Sequence, residues 1–196
     1  LLKLLGTFMV VLLPVVLALW FAQIRAMSET RNQLRSFAQL VLNKTELVIL
    51  QADLARDMAQ LYQGKMCTPA HQKSMLNIIR GRLYISELIY AQGDHFFCFT
   101  SMVPPVTYIM PTADYKRTPD IAIYYYRDTP FFAGYRMTYM QRGNYVAVIN
   151  PLSYSEVMSD DPDLSWGVYD TVTDTFFSAS EAANIAQFAP LVRGEA

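Results

Sequence analysis

The beginning of the chain contains the feature that most restricts its fold, a stretch of 20 residues from Leu4 to Gln23 without a charged side chain. At 1.5 Å per residue such a helix spans about 30 Å, the thickness of the hydrocarbon core of a bilayer. Trp20 lies near its end, where an indole ring suits the membrane interface. A cleaved signal peptide is the alternative, but cleavage after Ala22 would put Trp20 at the −3 position, where small residues are required. We therefore predict an uncleaved transmembrane anchor over residues 1–25.

The remaining residues, 26–196, are numerous enough to form one domain with its own hydrophobic core. The whole chain carries 16 basic and 17 acidic residues, for a net charge of −1. Binding to nucleic acid requires a concentrated positive charge, which this composition does not supply. The expected partner is the membrane, and no nucleic acid is expected.

A long helix is predicted over residues 26–63, which contain neither proline nor glycine. Leucines recur there every seven residues, with apolar companions three or four positions away; the set is Leu40, Leu47, Leu50, Leu54, Met58 and Leu61. We expect this face to pack on the core of the same domain. Asn43 and Asp57 occupy alternate heptad positions, where they would weaken a coiled-coil seam. Contact with a second copy, a homodimer, remains the alternative.

Residues 64–196 predict a short helix followed by an antiparallel sheet. Thr68 and Pro69 are typical of a helix start, and Met75, Leu76 and Ile79 would share one face of that helix. Turn residues then separate three pairs of strand-like segments: 82–91 with 95–101, 133–140 with 144–150, and 166–170 with 175–180. Residues 120–126 form a further strand.

The predicted architecture is an α+β fold, with the long N-terminal helix packed with an antiparallel sheet of three hairpins. Extracytoplasmic PAS- and Cache-like sensors share this arrangement, but that likeness is an analogy of fold alone.

Both cysteines and both histidines of the chain fall within 32 residues: Cys67, His71, His95 and Cys98. Thiolates and imidazoles at short spacing are ligands for tetrahedral zinc. His95 and Cys98 lie three apart on a predicted strand, however, so they should face opposite sides unless a bulge intervenes. We expect no metal here and expect both histidines at the surface.

Other catalytic patterns are missing from the sequence. It contains no C-x-x-C pair, no phosphate-binding glycine motif and no serine nucleophile elbow. The acidic residues Glu156, Asp160, Asp161 and Asp163 lack the spacing of a calcium-binding loop and predict a solvated loop. We therefore expect no catalytic residue and no cofactor in this chain.

The remaining interpretation of Cys98 is a disulfide with Cys67, which forms readily outside the cytoplasm. Closing a loop of about 32 residues would stabilise the domain by roughly 3 to 4 kcal/mol. The Cα atoms of the pair should then lie about 4.4 to 6.8 Å apart. A buried pair of free thiols is the alternative.

The segment "LYQGKMCTPAHQKSMLNIIRGRLYISELIYAQGDHFFCFTS", together with the apolar helix before it, resembles the CSS-motif domain. This is a periplasmic sensor domain found ahead of EAL-type cyclic di-GMP phosphodiesterases of proteobacteria. The resemblance lies in the first cysteine before a short helix, the Arg80 to Arg82 step into a strand, and the turn at Gly93 before the second cysteine. The family is named for Cys-Ser-Ser, whereas this chain has Phe99 and Thr100 after its cysteine, with Ser101 as a nearby hydroxyl.

The resemblance implies a periplasmic domain held in the bacterial inner membrane between two transmembrane helices. It also implies that the thiol or disulfide state of Cys67 and Cys98 controls a cytoplasmic EAL domain of the same polypeptide. Periplasmic thiol oxidation and reduction machinery would be the partner of that switch. The sequence contains neither a second apolar span nor Glu-Ala-Leu. The implied hydrolase, with its magnesium or manganese, is therefore expected beyond Ala196, and this chain itself is not an enzyme.

Two other functions remain open at the level of sequence. The chain could be a ligand-binding sensor of a histidine kinase or chemoreceptor, with a purely structural disulfide. It could instead be a stand-alone interaction domain tethered to the membrane. A second span and an EAL domain after Ala196, a kinase or signalling coiled coil there, or a stop codon would distinguish the three.

Overall fold

A computed structural model describes residues 2–102, 104, 107–118, 121–128, 131, 136–149, 153, 164–171 and 175–180. The acidic residues Glu156, Asp160, Asp161 and Asp163, and the predicted turn near Thr173, lie outside the described residues. The chain divides into two compact units, one of residues 1–40 and one of residues 41–196.

Helix α1 extends from Leu2 to Gln60 and includes Pro14. From Leu12 onwards it is long and apolar enough to cross a membrane, and its apolar side chains in the first unit, such as Leu19 and Trp20, are exposed. Length and composition thus agree with the predicted anchor. The helix ends three residues before Gln63, the predicted end.

In the second unit, α1 buries a different face from the one predicted. The buried apolar residues are Val41, Val48, Ala52, Ala55 and Ala59. The leucines and Met58 remain 41 to 77% exposed, so the expectation that they pack on the core of their own domain was wrong. The buried face also contains Lys44, Thr45 and Arg56. Because these residues are polar, the sequence pattern predicts that this face is exposed to solvent.

The described residues contain nine strands, all antiparallel to their neighbours: β1 Ile85–Gln92, β2 His95–Phe99, β3 Tyr108–Ile109, β4 Tyr115–Thr118, β5 Ile121–Asp128, β6 Arg136–Arg142, β7 Tyr145–Ile149, β8 Gly167–Asp170 and β9 Thr175–Ala179. Seven form one sheet in the order β3-β2-β1-β7-β6-β5-β4, while β8 and β9 pair separately. The α+β class and the three predicted strand pairs are confirmed, but β8 and β9 do not join the large sheet as predicted, and β3 and β4 add strands that the sequence did not predict. The turns of the first two contain Gly93 and Gly143, whose positive φ angles of 62° and 58° suit glycine.

The two faces of the seven-stranded sheet have different neighbours. Ile89, Phe96, Val146 and further alternate residues form the hydrophobic cluster on one face. Side chains alternate along a strand, so Tyr90 and Tyr145 project from the other face, where their rings contact His71 of helix α2 (Pro69–Ile79).

Helix α2 extends from Pro69 to Ile79 and has Thr68 as its N-cap, as predicted. Its buried residues are His71, Met75 and Ile78, whereas Leu76 is exposed. The buried face is therefore rotated from the predicted one, because His71 takes a core position.

Candidate functional site

A disulfide joins Cys67 and Cys98, with their Cα atoms 5.6 Å apart. The predicted pairing and separation are confirmed. In this oxidised state neither cysteine is free. The bond links the segment between α1 and α2 to strand β2.

Cys67 has a φ of 56°, the one non-glycine residue with a positive φ among those described. The left-handed region costs an ordinary residue about 1 to 2 kcal/mol. Two local contacts fix this conformation besides the disulfide. The N–H of Cys67 donates to Nδ1 of His71 at 2.9 Å, and the hydroxyl of Thr68 accepts from the N–H of His71 at 3.3 Å.

Cys98 is fully buried and lies opposite Tyr90 of β1. The register between β1 and β2 shifts at this point, leaving Phe97 without a partner across the ladder. Such a bulge puts two residues of one strand opposite a single residue of the other. Cys98 consequently shares the face of Tyr90, toward α2 and Cys67.

His71 is fully buried at the centre of this arrangement, so the expectation that it lies at the surface was wrong. Because Nδ1 accepts the N–H of Cys67, the ring proton belongs on Nε2, which donates to the hydroxyl of Tyr145 at 2.9 Å. Burial lowers the pKa of His71 below its usual value of 6.5. The imidazole is therefore neutral near neutral pH.

Three tyrosines surround the imidazole. The ring centroids of Tyr62, Tyr90 and Tyr145 lie 4.7, 5.6 and 5.9 Å from that of His71. Burial, with smaller contributions from Tyr90 and Tyr62, raises the pKa of Tyr145 to about 12. Tyr145 therefore keeps its proton and can remain the hydrogen-bond partner of His71.

The site does not assemble the four residues of the zinc pattern. Cys67, His71 and Cys98 bring their ligand atoms within 4.8 Å of one another, and Sγ of Cys98 lies 3.9 Å from Nδ1 of His71. The side chain of His95 is 49% exposed, as predicted, and contacts Asp94 at 2.7 Å.

The three grouped residues could hold a metal ion only after two changes. Zinc takes thiolates, which a disulfide does not offer, and Nδ1 of His71 would have to release the N–H of Cys67. In the oxidised state the chemistry available to this group is therefore thiol–disulfide exchange.

Thr100 contributes a buried hydroxyl that the sequence did not single out. Its Oγ1 accepts from the N–H of Leu88 and donates to the carbonyl of Leu88, each at 2.8 Å. Ser101 is exposed, and its backbone N–H donates to Glu87 at 3.2 Å. The hydroxyl that supports the end of β2 thus lies two residues after Cys98, as the second serine of Cys-Ser-Ser would.

Hydrogen bonds supplement the disulfide in holding the helices to the sheet. Nε2 of Gln72 in α2 donates to the carbonyl of Phe99 at 3.1 Å. Near the end of α1, Nε2 of Gln60 donates to the carbonyl of Arg142 at 3.2 Å. The short segment that contains Cys67 is therefore attached on both sides, and the disulfide adds a covalent connection that reduction can remove.

Comparison with known proteins gives a family and a relative. Residues 30–194 match the family described as the CSS motif domain associated with EAL. The chain is 26% identical over 160 residues to a protein of Escherichia coli (strain K12) named probable cyclic di-GMP phosphodiesterase PdeB. That match covers 81% of the chain and 30% of the length of the relative. No solved structure matches the chain significantly.

Proposed function

The chain belongs to the CSS-motif domain family, and from that membership we propose that it is the regulatory sensor of a membrane-bound cyclic di-GMP phosphodiesterase. Its soluble part lies in the bacterial periplasm, and α1 anchors it in the inner membrane. The disulfide of Cys67 and Cys98 is the switch. The EAL domain of the same polypeptide is the enzyme, and any magnesium or manganese belongs to that domain.

The observation that carries this proposal is the position of the disulfide. Cys67 lies seven residues after the end of α1, and Cys98 lies in the large sheet. Breaking the bond removes the covalent link between the α1–α2 segment and β2. It also removes one constraint that keeps Cys67 in its left-handed conformation.

Reduction takes up two electrons and two protons and yields two thiols. A periplasmic dithiol protein supplies them by exchange: its thiolate attacks Sγ of Cys67, and Cys98 leaves and takes a proton. The second thiol of the partner then releases Cys67 and closes the disulfide of the partner. The reverse sequence oxidises the sensor.

A redox change can alter the enzyme only if the two states differ in free energy between two arrangements of the membrane helices. Loss of the link at Cys67 supplies such a difference, because the C-terminal turns of α1 then depend on noncovalent contacts alone. The hydrogen bond from Nε2 of Gln60 to the carbonyl of Arg142, at 3.2 Å, is one of these contacts. The free-thiol state is the more active phosphodiesterase, since the oxidised domain holds the enzyme back.

The test is cyclic di-GMP hydrolysis in membranes that carry the full-length protein. Cys67→Ser, Cys98→Ser and the double variant should all exceed the oxidised wild type and should no longer respond to reductant. Reduced wild type should reach the level of the variants. The variant His95→Ala, at an exposed histidine outside the disulfide site, should keep the wild-type response.

If both single variants match oxidised wild type and reductant changes nothing, the disulfide is purely structural. The chain would then be better described as a ligand-binding sensor.

A further inference from the structure

Helix α1 and the residue that follows it expose a row of large apolar side chains in the second unit, which we call the leucine face: Leu47, Leu50, Leu54, Met58 and Leu61. Their exposed fractions range from 41 to 77%. The opposite side of the same helix already fills the core with Val48, Ala52 and Ala55. Large exposed apolar rows of this kind mark interaction surfaces.

The spacing of the leucine face favours another helix as its partner. Successive members are separated by three or four residues, and Asn43 and Leu40 continue the same spacing toward the N-terminus. An average step near 3.5 residues keeps such a row facing one neighbouring helix, with side chains interlocking between the two. An identical helix presents the identical row, so the surface is complementary to itself.

We propose that the leucine face binds the leucine face of a second copy of this chain, in a parallel and in-register helix pair. This rests on the membrane anchoring proposed above. Two copies inserted through the same N-terminal segment enter their soluble domains from the same membrane plane. The two helices therefore run in the same direction and begin at the same height.

One polar residue on the row and one beside it are compatible with this pairing, although each lowers its stability relative to an apolar residue. In register, the exposed Asn43 of one copy meets Asn43 of the other, and one polar position in an apolar seam fixes register and the two-helix state. Asp57 lies beside the seam, where two carboxylates would repel each other. Arg142 of the same chain lies 3.4 Å from Asp57 and offsets its charge.

The size of the surface is compatible with a membrane-assisted dimer. Five half-exposed Leu or Met side chains on each copy would bury on the order of 1,000 Å² in total, near the lower limit of specific interfaces. Tethering in one membrane raises the effective concentration of the partner, so a small interface is sufficient.

The experiment uses the complete chain in membranes with its native disulfide intact. Single variants Leu47→Cys and Leu61→Cys are oxidised and run on a non-reducing gel. Leu42→Cys is the matched control, because Leu42 is also a leucine of α1, is 49% exposed and points away from the row. We expect cross-linked dimers of both seam variants, formed at least ten times faster than with Leu42→Cys.

Using both ends of the row tests direction as well as contact. A parallel pair links Leu47→Cys to itself and Leu61→Cys to itself, whereas an antiparallel pair links only a mixture of the two variants. The double variant Leu47→Glu/Leu54→Glu should abolish the dimer measured by light scattering in detergent, and Leu42→Glu should not. Gel mobility under non-reducing conditions verifies that each variant retains the Cys67–Cys98 disulfide.

Equal cross-linking of the seam and control variants, cross-linking only of mixed variants, or no dimer of any kind would each overturn the proposal. These outcomes are separable from failure of the redox switch. The redox switch is tested by cyclic di-GMP hydrolysis in proteins whose leucine face is unchanged. The cross-links are measured only in the oxidised state, so they do not depend on the switch.

Discussion

The two sulfurs of the disulfide have unequal access to solvent. Cys67 is partly exposed in the segment between the helices, while Cys98 is fully buried in the sheet. Exchange requires an incoming thiolate to reach a sulfur in line with the bond it breaks. In the proposed switch, Cys67 would therefore be the sulfur that a thiol partner attacks, with Cys98 as the leaving group.

The first prediction concerns this asymmetry. In Cys98→Ser the remaining Cys67 thiol should react with an aromatic disulfide reagent at least ten times faster than the Cys98 thiol of Cys67→Ser. The reason is exposure alone, so both thiols should react equally fast in guanidinium chloride. Equal rates in the folded chains would contradict the assignment.

His71 connects the disulfide site to pH. Its pKa in the folded chain is below the usual 6.5, so between the two values the unfolded chain binds a proton that the folded chain does not. The contribution of His71 to stability is therefore complete above pH 6.5 and declines as the pH falls below it. Protonation of Nδ1 would also break the hydrogen bond that this nitrogen accepts from the N–H of Cys67.

The second prediction follows from that sign. Guanidinium unfolding of the oxidised chain should show a midpoint that declines from about pH 7.5 to about pH 5. His71→Asn should remove most of this decline, since its Oδ1 can still accept the Cys67 N–H but does not titrate. His95→Asn, at the exposed histidine, should retain it. An unchanged decline in His71→Asn would show that other groups are responsible.

At the scale of the element, side-chain hydrogen bonds hold the end of strand β2 in addition to the backbone hydrogen bonds of the sheet. Thr100 pairs with both backbone groups of Leu88, and its hydroxyl is buried. The bulge at Phe97 and this hydrogen-bonded end lie on either side of Cys98, and together they fix the orientation of its sulfur.

The third prediction tests the hydroxyl of Thr100. Thr100→Val should lower the free energy of unfolding by about 1 to 3 kcal/mol, because it removes the side-chain acceptor of the Leu88 N–H, whereas the Leu88 carbonyl keeps the backbone N–H of Thr100. Thr100→Ser should keep most of the wild-type free energy of unfolding. Ser101→Ala, one residue further and exposed, should change it by less than about 0.5 kcal/mol. The opposite ranking of Thr100→Val and Ser101→Ala would assign the supporting role to Ser101.

The elements differ in how far sequence could predict them. Glycine turns and alternating apolar residues correctly predicted the hairpins around Gly93 and Gly143. Strands β3 and β4 were missed because they have two and four residues and therefore show little alternation. The face of α1 was mistaken because Lys44 and Arg56 are buried, and their polar groups hide that face in a count of apolar residues.

The candidate site was predictable only in part for a similar reason. Two cysteines in a domain expected outside the cytoplasm were sufficient to predict their disulfide. The position of His71 was not, because a histidine four residues after Cys67 matches a surface position as well as a buried one. Its burial depends on Tyr90 and Tyr145, which are distant in sequence and meet it only in the folded sheet.

At the scale of the whole molecule, the proposed function depends on one coupling. The redox state of a bond in the second unit must alter an enzyme that lies outside this chain. α1 extends from Leu2 to Gln60, and the proposed function assigns to this helix the transmission of a change near Cys67. The proposed pairing of leucine faces would present two such helices side by side, without which each copy would signal alone.

The fourth prediction, a redox titration of the full-length protein in membranes, is the measurement that tests this coupling most directly. At each dithiol-to-disulfide ratio, thiol alkylation and a gel shift give the fraction of Cys67–Cys98 disulfide, and the same membranes give the rate of cyclic di-GMP hydrolysis. The account predicts that the rate rises as the disulfide disappears, with the same midpoint, and that Cys67→Ser/Cys98→Ser is active and flat throughout. A rate that stays constant while the disulfide passes from fully oxidised to fully reduced would contradict it.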